Sequence, residues 1–143
     1  MNDAQQVTTC PECGAQPVMG MNCWEQLGGV LAWEWHDPEL AAAHFLTVAS
    51  YNLQHPAQFT EEAITKLREI FIEHIDHQTS VEFLRRQIGR STAGDKKVLK
   101  TAAERVVVLR RWSMTIADVY LPDHSAGAAE RVRAWALAIR DEL

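Results

Sequence analysis

All three cysteines of this 143-residue chain fall between positions 10 and 23, in Cys10-Pro11-Glu12-Cys13-Gly14 and in Cys23-Trp24. Two thiolates separated by two residues on a tight turn can face one metal ion, and a glycine behind them permits the left-handed backbone such a turn requires. Cys23 follows Asn22, a helix-capping residue, so it meets the positive end of a helix dipole, which favours the thiolate. An odd number of cysteines disfavours a disulfide framework, whereas three cysteines and one histidine form a common closed set for Zn²⁺. The plainer alternative is a redox CxxC pair with a stray thiol, but the strand and helix context of a thioredoxin-like motif is missing.

Most of the chain reads as helix, and the expected fold is an all-α compact bundle of about six helices. Residues 1–22 are expected to form a small zinc-knuckle loop packed on it, and residues 1–143 a single domain. From Asn22 to Trp35, Trp24, Leu27, Leu31 and Trp35 recur at helical spacing, and Gly28-Gly29 can admit a close neighbour. Asp37-Pro38 is a cap followed by proline at the first helical position, and Pro56 ends a segment running from about Pro38 to Gln54. That segment has no charge after Glu39 and is apolar on nearly all sides, which predicts the centre of the bundle. Thr60 caps a stripe of Ile64, Leu67, Ile70, Phe71 and Ile75, and Thr79 or Ser80 restarts a shorter helix through Ile88. Gly89 to Gly94 reads as a flexible break. Lys97 to Trp112 is expected to be helical, although Val106 to Leu109 alone would pass for a buried strand. Thr115 caps a short turn through Tyr120, and Ser125 opens a last helix with Val132, Trp135, Ile139 and Leu143 on one face. The five tryptophans are expected in the core.

The fourth metal ligand follows from level along the helices. If the first two helices pack antiparallel about His36-Asp37, Cys23 lies opposite residues 50–51, which makes His55 the nearest histidine. His44 stands about two turns short of that level and is the reserve. His44 and His55 differ by only about 20° around the helix axis, and Thr47 and Tyr51 share their stripe. Buried polar groups need partners, so this line is expected to face a hydrogen-bond network, a metal or a ligand pocket. His74 and His77 are three apart and, with His44, would be similar to the metal-binding face of DinB-like four-helix enzymes. Their spacing differs, and Glu73 and Asp76 beside them suit a surface turn.

Charge is unevenly distributed. Residues 1–82 carry 2 basic and 12 acidic side chains, and residues 83–143 carry 12 and 7, so the halves should attract. The stretch 85–111 holds nine basic residues against Asp95 and Glu104, which would suit phosphates. A solvated helix face is the expected reading, since the chain as a whole has net charge −5 and no nucleic-acid motif accompanies the stretch. The apolar run after Leu40 is too short to span a membrane, and Met1 to Gln6 show no signal-peptide pattern, so a cytoplasmic protein is expected.

Cys10-Pro11-x-Cys13-Gly14, Cys23-Trp24, His44-x2-Thr47-Val48 with Tyr51 and Gln54-His55-Pro56, and Thr115-x-Ala117-Asp118-Val119 before Val132-x2-Trp135-Ala136 form a set. Together they resemble an uncharacterised bacterial family, a domain of unknown function. The resemblance covers most of the chain, is strongest over residues 10–56 and thins across 78–112. It implies that the cysteines, His44 and His55 belong to one pattern, and it supplies no substrate. Asp118 within it suits either a helix cap or an acceptor for a metal-bound imidazole.

The leading expectation is a cytoplasmic binding or regulatory module in which Cys10, Cys13, Cys23 and His55 hold a structural Zn²⁺, with an unknown protein partner or self-association. The alternative is an enzyme whose zinc, held by the three cysteines, keeps an open position, with His44, Tyr51 or His55 as acid or base. A deaminase-type site is disfavoured, because Thr9 precedes Cys10 where that motif has proline, and no upstream Cys/His-x-Glu exists.

Overall fold

The computed structural model describes residues 7–89 and 98–143. They form seven α-helices: α1 (Cys23–Trp33), α2 (Pro38–Ala42), α3 (His44–Leu53), α4 (Glu61–His77), α5 (Val81–Gly89), α6 (Ile116–Val119) and α7 (Ala128–Glu142). Two isolated β-bridges, Val18 with Met21 and Phe59 with Leu99, are the β-pairing among the described residues. The expected all-α class is therefore the observed one. None of these helices is long and apolar enough to cross a membrane.

Local chemistry sets most boundaries. Asn22 closes a capping box with Glu25 at the start of α1, and Asp37 accepts from the Leu40 amide ahead of Pro38. The Thr60 side chain accepts from the Ala63 amide, with Glu61 and Glu62 in the first turn of α4 where the dipole favours them. Thr115 and Asp118 form a reciprocal box, which assigns Asp118 to the cap rather than to any imidazole.

Four expectations are corrected. The segment Pro38 to Gln54 is two helices, because Ala43 leaves helical geometry at φ −92°, ψ 12° and the chain turns there. The last helix starts at Ala128 behind Gly127, whose φ of +80° an L side chain would resist; Ser125 does not cap it. Trp135 is fully buried, but Trp24 and Trp35 are exposed. The largest departure is Lys97 to Trp112: its described part, from Val98, holds only a 3₁₀ turn at Ala102–Glu104, and Arg105 to Trp112 pass without turn or bend. Three consecutive β-branched valines carry a helix penalty, and the backbone bonds go elsewhere. Thr60 donates to the Val98 carbonyl, Lys100 to Gln58 and Arg110 to Glu12. The 90–94 part of the predicted glycine break lies outside the described residues.

The core is built on α7 rather than on the charge-free segment alone. Val132, Trp135, Ala136 and Ile139 are buried, and α7 packs against α2, α3, α4 and α6. The Trp135 indole donates to Gln54 Oε1 at 3.2 Å, and Gln54 Nε2 donates to the Met114 carbonyl at 2.8 Å. This buried chain locks the end of α3 between α7 and the strand-like approach to α6. On the other side α1 meets α6, where a Cβ on Gly29 would sit 2.5 Å from the Tyr120 ring, itself stacked on Trp33. A forked pair, Arg140 with Asp76 at 2.9 and 2.7 Å, joins the acidic and basic portions of the chain.

Candidate metal centre

Two elements bring the predicted residues together. The first is the loop before α1. Gly14 has φ +79° and donates to the Cys10 carbonyl, and the Cys10 amide donates to the Ala15 carbonyl, closing a knuckle around the CxxC pair. Its amides turn inward. Glu12 and Cys13 approach Cys10 Sγ at 3.5 and 3.4 Å, and Ala15 approaches Cys13 Sγ at 3.4 Å, an arrangement that stabilises negative charge on sulfur. The fully buried Gln26 of α1 holds the rest of the loop, donating to the carbonyls of Gln16 and Met21 at 2.9 and 3.0 Å.

The second element is the end of α3. His55 Nδ1 donates to the Tyr51 carbonyl at 2.7 Å, which fixes the ring and leaves Nε2 aimed at sulfur. Nε2 stands 3.4 Å from Cys23 Sγ and 3.7 Å from Cys10 Sγ. The donor atoms of Cys10, Cys13, Cys23 and His55 all lie within 4.8 Å of one another, with three of the four residues buried. No two of the cysteines are joined covalently. The group could hold a metal ion.

The hydrogen bond with Cys13 pulls Cys23 down to about 3 against the opposing effect of burial, helped by His55 and Tyr51. The same bond, with burial, pushes the Cys13 thiol up. Burial alone would favour neutral imidazole, but the Cys23 sulfur and the Tyr51 carbonyl raise His55 to about 9. Burial, then the bond to Cys23, raises Tyr51, which stays a phenol and reaches Cys23 Sγ at 3.5 Å.

The other candidate histidines lie elsewhere. His44, the reserve ligand, is exposed and sits 2.9 Å from both carboxylate oxygens of Glu34. His36 lies in the exposed turn after α1. His74 Nδ1 donates to the Thr79 carbonyl at 2.8 Å and His77 pairs with Glu73 at 3.1 Å, so the three-histidine face does not form. Of the polar stripe on the charge-free segment, Thr47, Tyr51 and His55 are buried, and Tyr51 and His55, stacked at 4.0 Å, reach the sulfurs. Of the basic stretch, Arg85 and Arg86 lie on α5, where Arg85 sits over Phe45, while Arg105, Arg110 and Arg111 lie on non-helical chain, where Arg110 sits over Trp112.

One contributor escaped the sequence reading. Glu12 accepts from the Ala57 amide at 2.8 Å through its carboxylate and from the Arg110 amide at 3.0 Å through its carbonyl. It thus ties the knuckle to the turn after His55 and to the extended chain behind it. Its place between the two cysteines was the only local signal, and partners 45 and 98 residues away are not readable from spacing.

Residues 8–143 match a family described as a family of unknown function, DUF5946. The chain matches no curated protein and no solved structure.

Proposed function

We propose, for a chain that belongs to the family of unknown function DUF5946, the role of a small helical binding module built around one structural Zn²⁺. Cys10, Cys13, Cys23 and His55 hold the ion and tie the knuckle to α1 and to the end of α3. The observation that carries this reading is the convergence of three sulfurs and one imidazole nitrogen within 4.8 Å. Tetrahedral zinc, with Zn–S about 2.3 Å and Zn–N about 2.0–2.1 Å, requires sulfur–nitrogen separations of roughly 3.5–3.6 Å. The separations of 3.4 and 3.7 Å straddle that value. All-sulfur-and-nitrogen donors favour zinc over magnesium or calcium, which take oxygen.

A bound zinc would neutralise the thiolates and displace the proton from His55, since ligands bind deprotonated. The amides on Cys10 and Cys13 and the Tyr51 carbonyl on His55 supply the supporting contacts such a site needs. Four protein donors leave no position for water, and this supports a structural role over the open-site enzyme. X-ray absorption at the zinc edge, with elemental analysis, tests the reading: one zinc per chain surrounded by three sulfurs and one nitrogen is expected. Two sulfurs, an oxygen in the shell, or protein purified from zinc-containing medium without metal would overturn it.

A further inference from the structure

The segment from Arg105 to Trp112 crosses the surface beside the knuckle without turn or bend. Among the described residues its backbone bonds lie at its two ends, from the Arg105 amide to the Ala102 carbonyl and from the Arg110 amide to the Glu12 carbonyl. From Val106 to Leu109, no backbone N–H or carbonyl has a partner among the described residues. The same four residues are 72, 52, 68 and 48% exposed. Three β-branched residues and a leucine, extended, apolar and with an open hydrogen-bonding edge, are the combination that folded proteins normally cover.

The surface on either side continues the apolar strip. Val107 borders a hollow of about 270 Å³ shared with Trp24 and Tyr51, while Val106 and Val108 border another with Phe59 and Ile64. Trp24, 67% exposed, stands at the rim of the first. Basic side chains bracket the strip: Lys100 and Arg105 before it, Arg111 after it. Arg110 is occupied, stacked on Trp112 and bonded to the Glu142 carbonyl, but Arg111 is exposed. Arg105 gives its Nε to the Lys100 carbonyl, and its terminal nitrogens have no partner among the described residues.

The bracketing charge selects the occupant. A second copy of this strip laid antiparallel, with Val107 against Val108, would set Arg105 level with Arg110, and like charges directly opposite are unfavourable. An extended chain with an apolar centre and carboxylates at its ends would meet the valines in the middle and the arginines outside. We propose that Arg105 to Arg111 docks such a segment of a partner protein by strand addition, with main-chain hydrogen bonds giving affinity and the flanking charges giving selectivity. This deepens the binding-module reading by naming its surface. It does not require the metal, whose knuckle meets the strip through the Glu12 anchor and through Leu109 beside Gly14.

The test uses the full chain and a labelled peptide, acetyl-Glu-Glu-Val-Thr-Val-Thr-Val-Glu-Glu-amide, with binding followed by fluorescence anisotropy. Saturable one-to-one binding is expected, weakened at least tenfold in Val107→Asp and, separately, in Arg111→Glu. It should be weakened equally when lysines replace the peptide's glutamates, or when alternate peptide nitrogens are methylated in one of the two possible frames. Zinc content per chain, measured on the same samples, should match wild type in both variants, so failure of the metal reading and failure of the docking reading are separable. No binding, equal binding of the lysine peptide, or indifference to methylation in both frames would overturn the proposal. So would a wild-type dimer in sedimentation that Val107→Asp dissolves, or a single-stranded oligonucleotide that outcompetes the peptide.

Discussion

Cys13→Ser removes one donor from the cluster with almost no change in volume at a site that is 1% exposed. A serine hydroxyl keeps its proton near neutral pH and replaces a soft thiolate poorly, so metal affinity should collapse while the helical core stays intact. The size of the effect follows from linkage: a ligand that binds only the folded chain and is present at a thousand times its Kd stabilises it by about 4.1 kcal/mol. For a chain of about 150 residues each kcal/mol moves Tm by roughly 2–4 °C, so the variant should melt roughly 8–16 °C below the zinc-loaded wild type. Trp135, Phe71 and Ile116 are buried and are not among the four candidate ligands, and a cooperative melt should therefore survive at the lower temperature. Differential scanning calorimetry with elemental analysis is the assay, run with and without a strong chelator. Chelator should bring wild type down to the variant and leave the variant where it is. One zinc per chain in Cys13→Ser, or a wild-type Tm indifferent to both chelator and mutation, would refute the reasoning.

Other outcomes are equally specific. Gln54→Ala should cost about 2–6 kcal/mol in urea unfolding, since it strands the buried Trp135 indole N–H and the half-buried Met114 carbonyl at about 1–3 kcal/mol each; a loss under 1 kcal/mol would mean that the network does not hold α3 to α7. Gly29→Ala drives a methyl against the Tyr120 ring and should cost about 1–3 kcal/mol and alter near-ultraviolet dichroism from the Trp33–Tyr120 stack; an unchanged spectrum would contradict the close packing. The Arg140 guanidinium beside Asp76 lowers that carboxyl below its ordinary value of 3.8. A lowered folded-state value gives stability that is present above the unfolded pKa and lost as pH falls through the folded one. The Tm difference between wild type and Asp76→Asn should therefore be present at pH 6 and vanish in strong acid, and a difference that grew on acidification would reverse the assignment.

What the sequence disclosed was whatever local rules govern. Caps at Asn22, Asp37, Thr60 and Thr115 announced their helices because each side-chain bond spans three residues or fewer. Cys10, Cys13 and Cys23 announced a cluster by proximity in the chain. His55 follows from level on the supposition of two antiparallel helices; the second is in fact α2 and α3, broken at Ala43, yet His55 still meets Cys23 at 3.4 Å. The failures share a cause. Ala43 breaks a helix without proline, glycine or charge to mark it. Val106 to Leu109 carry a pattern that fits a buried helix or strand, and only the distant bonds to Gln58 and Glu12 decide that they form neither. The place of α7 at the hub of the bundle depends on the fit of Trp135 between Gln54 and its neighbours, a contact 81 residues apart.

The need for an ion can be argued from the knuckle alone. Between positions 7 and 22 only Cys13 and Ala15 are buried, one thiol and one methyl. Fixing the backbone costs about 1–2 kcal/mol per residue, far more than those two side chains return by leaving water. The loop's own hydrogen bonds are exchanged for bonds to water and contribute about 0.5–1.5 kcal/mol each, so they shape the segment without holding it. A metal bound to two residues of the loop, one of α1 and one at the end of α3 would supply the missing attraction where the loop would otherwise detach. Detachment would carry Glu12 away from Ala57 and Arg110, and with it the anchor of the valine strip. Chelation should therefore accelerate amide hydrogen exchange at Glu12, Cys13, Ala15, Ala57 and Arg110 together, while amides in the middle of α7 keep wild-type protection. Uniform acceleration across α7 would show instead that the ion holds the whole fold, and no acceleration at Arg110 would show that the strip stands independently of the knuckle.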